Sequence, residues 1–311
     1  MREIIIGKNE AGKRLDKVLK SYLSNAGTSF IYKMLRKKNI VLDDKKADGR
    51  EKLSKGQSIK MYFSEETFKK MTGEDSLEKG LNNIENTDAL EKMVDMLKSL
   101  IIYEDENLII FSKPSGWLSQ KARKDDISVN EICISYLYKK GEITDESMRT
   151  FKPSICNRLD RNTSGIMVFG KTLIALQEMA KLFKTRDLNK YYIAVVKGNL
   201  SVGGEYKAYL SKDNNGNQVK LINEYKKGYK EIRTSINPIF SSEEYSFIKL
   251  ELITGKTHQL RAHLAYLGHP IIGDPKYGDM KTNKKYKNEF KITSQLLHAY
   301  RLEFPSDLKG L

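Results

Sequence analysis

The chain has little cysteine, no long apolar run and a deficit of acid against base. Its two cysteines, Cys133 and Cys156, lie far apart and form no zinc-ligand spacing. Reduced, intracellular thiols are the natural reading, and a cytoplasmic protein is expected. No stretch of eighteen apolar residues occurs, so no membrane span is expected. The opening Met1–Lys8 has an apolar stretch too short for a signal peptide. No internal repeat is visible. What is abundant is basic charge: 55 Lys and Arg stand against 40 Asp and Glu, a net charge of +15. The surplus sits at the two ends. Residues 1–64 hold 16 cationic against 7 acidic side chains, and residues 100–311 hold 34 against 24, whereas residues 65–99 are net acidic. An excess of this size favours a polyanionic partner. A length of 311 residues is enough for two compact domains with sizeable cores, and nothing demands more than a monomer.

Apolar periodicity divides the chain the same way. Leu15, Val18, Leu19, Tyr22 and Leu23 recur at helical spacing, which predicts one amphipathic helix. A second begins near Thr28 or Ser29 and buries Ile31, Met34 and Leu35. Lys33, Arg36 and Lys37 share its opposite face. Short strands follow at Ile40–Leu42 and Ile59–Phe63, with a Lys55-Gly56 turn between them. Residues 65–99 read as a charged linker, mobile around Gly73 to Asn86, with Met93, Met96 and Leu97 suggesting a short amphipathic piece near its end. From Leu100 the chain is rich in strands. Leu100–Tyr103 and Leu108–Phe111 form a predicted hairpin, Ser128 and Glu131 form a capping box, and Leu173 to Phe183 forms a helix. Tyr191–Val196 and Phe247–Leu252 are further strands. Hairpins outnumber βαβ units, so residues 100–311 are expected to form an α+β domain around a mixed, mainly antiparallel sheet.

The densest chemical signal is Asn157-Arg158-Leu159-Asp160-Arg161-Asn162-Thr163-Ser164-Gly165, followed by the apolar run Ile166–Gly170. A carboxylate between two guanidinium groups thus sits on a turn leading into a buried strand, where a rigid scaffold can hold a reactive group. A nearby guanidinium favours the ionised carboxylate. On charge pattern alone, a surface loop with a salt bridge is the favoured reading.

The stretch resembles the active-site signature of the RluA-type pseudouridine synthases, His-Arg-Leu-Asp, two residues, then Thr-Ser-Gly. Further segments match in family order: Glu104–Leu108 running to Lys113-Pro114-Ser115-Gly116, Lys190–Gly198, Thr254–Arg261 continuing through Gly268–Asp274, and Leu297–Tyr300 through Phe304. The resemblance covers nearly all of residues 100–305. Lys190-Tyr191-Tyr192 and Tyr277-Gly278-Asp279 lean toward the RluC branch, which modifies large-subunit ribosomal RNA. Residues 12–64 resemble a small S-four type RNA-binding domain, through Arg14-Leu15-Asp16 and the Lys-Gly-Gln-x-Ile ending. These resemblances imply an α/β RNA-binding domain at 1–64, a linker at 65–99 and a catalytic domain at 100–311. They imply an isomerase that needs no cofactor: the ribose–N1 bond of a uridine breaks, the base turns, and C5 bonds to C1′. Asp160 would be the catalytic residue, attacking C1′ or removing a sugar proton. Arg261 would pair with Asp160, and Tyr192 would stack on the target base. Arg158 and Arg161 would contact RNA, with Arg161 able to fill the space left by an extruded uridine. Lys33, Arg36 and Lys37 would contact phosphates.

Three departures accompany the match. Asn157 stands where the family usually has His, Lys256 where it commonly has Arg, and Gln120 where a His is common. None touches Asp160, Tyr192 or Arg261, so an active enzyme is expected. His258 and His263 invite a metal site, but their spacing of five puts them on different helix faces and no metal is expected. Lys113–Gly116 reads as a turn shaping the pocket. The expected partner is RNA, ribosomal or within a preribosomal particle. The alternatives are a transfer-RNA substrate, a non-catalytic ribosome-assembly factor, and a glycosidase pairing Asp160 with Asp274 or Asp105.

Overall fold

The computed structural model describes residues 1–73, 88–212 and 219–306. The N-terminal unit contains β1 (Arg2–Ile5), α1 (Leu15–Tyr22), α2 (Thr28–Arg36), β2 (Ile40–Leu42), β3 (Lys45–Lys46) and β4 (Ser58–Met61). Its strands form an antiparallel sheet in the order β1-β4-β2-β3. The helical spacing read from the sequence is what seats α1 and α2. Leu15, Val18, Leu19 and Tyr22 of α1 and Ile31, Met34 and Leu35 of α2 point into one core with Ile4, Ile40, Ile59 and Met61 of the sheet.

The stretch expected to be a linker holds two helices. In α3 (Glu65–Thr72), Ser64 caps the N-terminus by accepting from Thr67 N–H, and Gly73 closes the other end in the left-handed conformation. Phe68 of α3 is buried in the N-terminal core, its ring 5.9 Å from that of Tyr22 and nearly perpendicular to it. The second helix, α4 (Asp88–Leu100), buries Leu90, Val94 and Leu97 in the other core. A few apolar residues at helical spacing suffice to seat a helix on an existing core, even in a charged segment. Apart from Gly73, the stretch expected to be mobile lies outside the described residues.

The second unit is α+β, as its pattern of hairpins implies. It comprises β5 (Ile101–Glu104), β6 (Leu108–Lys113), α5 (Val129–Lys139), α6 (Asp145–Thr150), β7 (Ser154–Ile155), β8 (Ser164–Gly170), α7 (Leu173–Thr185) and β9 (Asn189–Lys197). It continues with β10 (Gly204–Lys212), β11 (Val219–Ile222), β12 (Lys230–Ser241), β13 (Tyr245–Glu251), α8 (Gln259–Tyr266), α9 (Met280–Phe290) and β14 (Leu297–Glu303). One sheet runs β11-β10-β12-β13-β9-β14-β8-β6-β5, with β7 paired to β8. Every described pairing is antiparallel except β14 with β8.

That parallel seam positions the site. Late in the chain, β14 inserts between β8 and β9, so the turn before β8 and the strand carrying Tyr192 flank one strand. The seam requires Gly165. Its φ is +120°, and a Cβ there would lie 2.2 Å from the carbonyl oxygen of Ala299 on β14. The capping box opens α5 as the sequence predicts, with Glu131 accepting from the Ser128 N–H.

The two units touch through polar contacts. The Tyr22 hydroxyl donates to Glu146 at 2.8 Å, the Thr150 hydroxyl to Glu10 at 2.7 Å, and the Leu173 N–H to Asn9 at 2.9 Å. Asn9 thereby satisfies an N-terminal amide of α7.

Candidate active site

Three segments distant in sequence meet at the seam. Asp160 comes from the turn before β8, Tyr192 from β9, and Arg261 from the first turn of α8. The Arg261 guanidinium joins two carboxylates. Nη1 donates to Asp160 Oδ2 at 2.8 Å, while Nε and Nη2 donate to Asp274 at 2.7 and 2.9 Å. Arg261 and Asp274 are buried, 6% and 1% exposed, whereas the Asp160 side chain keeps 29% of its surface. The buried end is therefore a fixed two-pronged pair, and the open end presents a carboxylate to the surface.

Electrostatics explains why two acids are needed. A guanidinium in the first turn of α8 faces the positive end of the helix dipole and has lost most of its water. Burial disfavours the Arg261 charge, but hydrogen bonds to Asp274 and Asp160 outweigh it, so its pKa is raised. Burial likewise works against the Asp274 charge, yet Arg261 and the N–H groups of Lys276 and Tyr277 hold its pKa below the ordinary value. The start of α8 is bolted to the sheet by the buried Gln259. Its oxygen accepts from the Thr254 hydroxyl and the Lys256 N–H, and its amide donates to the Arg233 carbonyl on β12.

The Asp160 turn is held from the other side by Lys113. This lysine takes the inward phase of β6 after Ile109 and Phe111 and is fully buried. Its ammonium donates to the carbonyls of Pro114, Trp117 and Arg161 at 2.9–3.0 Å. Burial lowers its pKa to about 8, against the pull of Asp160. It ties the Lys113–Gly116 turn to the Asp160 turn by charge-assisted bonds. Ser119 adds a bond to the Leu159 carbonyl at 2.7 Å, and Gln295 donates to Thr163 at 2.7 Å.

Tyr192 is 8% exposed within the main core, and burial followed by the Asp160 charge raises its pKa. Arg158 and Arg161 are exposed on either side of Asp160, and Arg161 Nε donates to the Gly116 carbonyl at 3.2 Å. Lys33, Arg36 and Lys37 do not join this site; they are exposed in the N-terminal unit, Lys33 and Arg36 on α2 and Lys37 at its C-cap. Asn157 brackets the backbone of β8, its oxygen accepting from Val168 N–H and its amide donating to the Ile166 carbonyl. A side chain that pairs with a strand in this way needs no titratable group. Asp274 faces Arg261 with both oxygens, which leaves it no part as a second acid beside a sugar.

Sequence reasoning missed Asp274 as the anchor of Arg261, Lys113 as an internal clamp, and His258, whose Nε2 lies 4.0 Å from Asp160 Oδ1. Two signals were present. Asp274 directly follows the apolar Ile271-Ile272-Gly273, and Lys113 continues an inward alternation. A charge in a buried phase demands a partner.

Comparison with known proteins points to one family. A model of the RNA pseudouridylate synthase family matches residues 107–266. An RNA pseudouridine synthase of Mycoplasma genitalium is 31% identical over 310 residues, covering 97% of this chain and 89% of that protein. Ribosomal large subunit pseudouridine synthase D of Borreliella burgdorferi is 38% identical over 206 residues, covering 65% of this chain and 60% of that protein. Synthase C of Vibrio vulnificus is 28% identical over 305 residues, covering 96% and 87%. Among solved structures, human RNA pseudouridylate synthase domain containing 4 shares the fold, with a TM-score of 0.57 at 21% identity over 70% of this chain and 88% of that one. The chain belongs to the RNA pseudouridylate synthase family. Its reaction is the isomerisation of uridine within RNA.

The Asp274 pair carries a pH signature. Its folded pKa lies below the unfolded value, so its stabilisation is complete above the ordinary carboxylate range and fades as pH falls through the lowered value. Asp274→Asn is predicted to cost about 3 kcal/mol at neutral pH. The deficit against wild type should shrink below about pH 4. Urea unfolding at both pH values checks this, and an equal deficit at low pH would contradict it.

Proposed function

We propose that the protein isomerises uridine in large-subunit ribosomal RNA, with Asp160 as the catalytic residue and the N-terminal unit as an S-four type anchor. The observation that carries the catalytic assignment is the asymmetry of Asp160. Oδ2 is held by the buried Arg261, while the side chain remains partly open beside the buried Tyr192. The chemistry asks for such a carboxylate: aimed, backed by a cation, and reachable by a ribose. Tyr192 offers a ring on which the detached uracil stacks and turns, a contact worth about 1–3 kcal/mol per base. Arg158 and Arg161 flank the opening and suit the phosphates on either side of an extruded nucleotide. The relatives named ribosomal large subunit pseudouridine synthases support the ribosomal substrate.

For the anchor, the supporting features are two helices packed on a four-stranded sheet, and the exposed Lys33 and Arg36 on α2 with Lys37 at its C-cap. Among the described residues none of the three makes an ion pair, which leaves them available to phosphate.

Two experiments test this reading. Tritium at uracil C5 is expelled when C5 bonds to C1′, so wild type should release it from C5-labelled large-subunit RNA while Asp160→Ala releases none and still binds RNA. Release by Asp160→Ala at the wild-type rate would remove Asp160 from the chemistry, and release from transfer RNA alone would reassign the substrate. Neutralising Lys33, Arg36 and Lys37 to Gln together should make the slope of log affinity against log salt shallower by about 2 to 3. An unchanged slope would count against the anchor.

A further inference from the structure

Arg261 engages Oδ2 of Asp160, and among the described residues Oδ1 has no hydrogen bond. The side chain facing Oδ1 is His258, with Nε2 at 4.0 Å. His258 precedes α8 with φ 55° and ψ 17°, a left-handed conformation uncommon for a residue with a Cβ. Strain of this kind persists where the surroundings over-determine it, and it clusters at functional sites. Here the surroundings are explicit. Nδ1 of His258 lies 3.0 Å from the Tyr277 hydroxyl, and the two rings meet edge-on with centroids 5.6 Å apart. The same hydroxyl accepts the Val219 N–H at 3.1 Å. Its own hydrogen is then free to point at Nδ1; with Nδ1 as the acceptor, the imidazole proton lies on Nε2, the nitrogen facing Asp160. The Tyr277 ring also lies 5.3 Å from the Arg261 guanidinium carbon. One tyrosine therefore supports both groups that flank the carboxylate.

We infer that His258 is a positioning residue for Asp160: its neutral imidazole, locked as the Nε2–H tautomer by Tyr277, presents a donor to Oδ1 and, with Arg261 on Oδ2, fixes the plane of the carboxylate. The separation of 4.0 Å is longer than a hydrogen bond, and a small rotation of either side chain closes it when RNA seats, as catalytic contacts commonly tighten in the substrate complex. A neutral ring suits the task, because a second full cation on the carboxylate would weaken it as a base or nucleophile. The local charges keep it neutral. Burial lowers the His258 pKa below the ordinary value, aided by Arg261 and Lys276 and opposed by Asp160 and Asp274.

The test has a spectroscopic and a kinetic arm, and only the kinetic arm rests on the proposed reaction. The chain has four histidines, so nitrogen-15 spectra of the histidine-labelled full-length protein are tractable, with His258→Gln identifying the resonance. At neutral pH the His258 ring should carry its proton on Nε2 with Nδ1 bare, and Tyr277→Phe should let the other tautomer appear. A wild-type ring protonated at Nδ1, or a tautomer indifferent to Tyr277→Phe, would overturn the inference. In kinetics, His258→Ala should lower kcat by about 10²-fold, with KM for RNA and the unfolding midpoint little changed. His258→Gln, which keeps an N–H donor, should recover part of the loss. A variant that loses stability and KM along with kcat, with no rescue by Gln, would make His258 merely structural and contradict the assignment. If wild type released no tritium from any RNA, the functional reading would fall and the spectra alone would decide the tautomer lock.

Discussion

The site depends on one guanidinium held between two carboxylates. Arg261 is buried, sits at the positive end of a helix, and is stable there only because Asp274 meets it with both oxygens and Asp160 with one. The arrangement divides the labour. Asp274 is spent on the pair, saturated by the guanidinium and two backbone N–H groups. Asp160 is held at one oxygen and open at the other. A carboxylate alone on a surface turn would be free to swing and well hydrated. Tied to a buried cation, it is aimed before substrate arrives, which is how a rigid site lowers a barrier without moving parts.

The sheet makes that meeting possible. A turn, a strand and a helix separated by as many as a hundred residues converge because β14 enters between β8 and β9 and pairs in parallel with β8. The close approach needs Gly165, the last residue of the signature. On the far side, the Lys113 ammonium replaces lost water with three carbonyls and joins two turns that no strand pairing would hold. The Asp160 turn is thus clamped by buried charge from two directions. Such clamps add little net stability, because desolvation offsets much of the attraction, and what they provide is geometry.

Much of this was legible in the sequence. Helical spacing in residues 15–36 and strand alternation after Leu100 marked the two units, because burial imposes those periods on any chain. The signature around Asp160, with Tyr192 and Arg261, was legible through family resemblance, and the geometry brings the three together. The helix α3 was hidden in a charged segment, since Phe68 carries too little apolar content to stand out, whereas Met93, Met96 and Leu97 marked only the latter part of α4. Asp274 and His258 were weighed only as a second acid and a metal ligand, because a motif gives order along the chain and a pair needs proximity in space. The left-handed turn that aims His258 was not legible in the sequence, since histidine adopts that conformation more readily than most residues but far from always.

The most direct test of the two-carboxylate account is the turnover of Arg261→Lys alongside its RNA affinity. Lysine keeps the charge but loses the fork, so it can satisfy Asp274 or Asp160 but cannot brace both in their present geometry. The account predicts turnover lower by about 10²-fold with RNA affinity unchanged. Near-wild-type turnover would show that a positive charge is all the site requires, and that the fixed geometry of Asp160 is not what the pair provides.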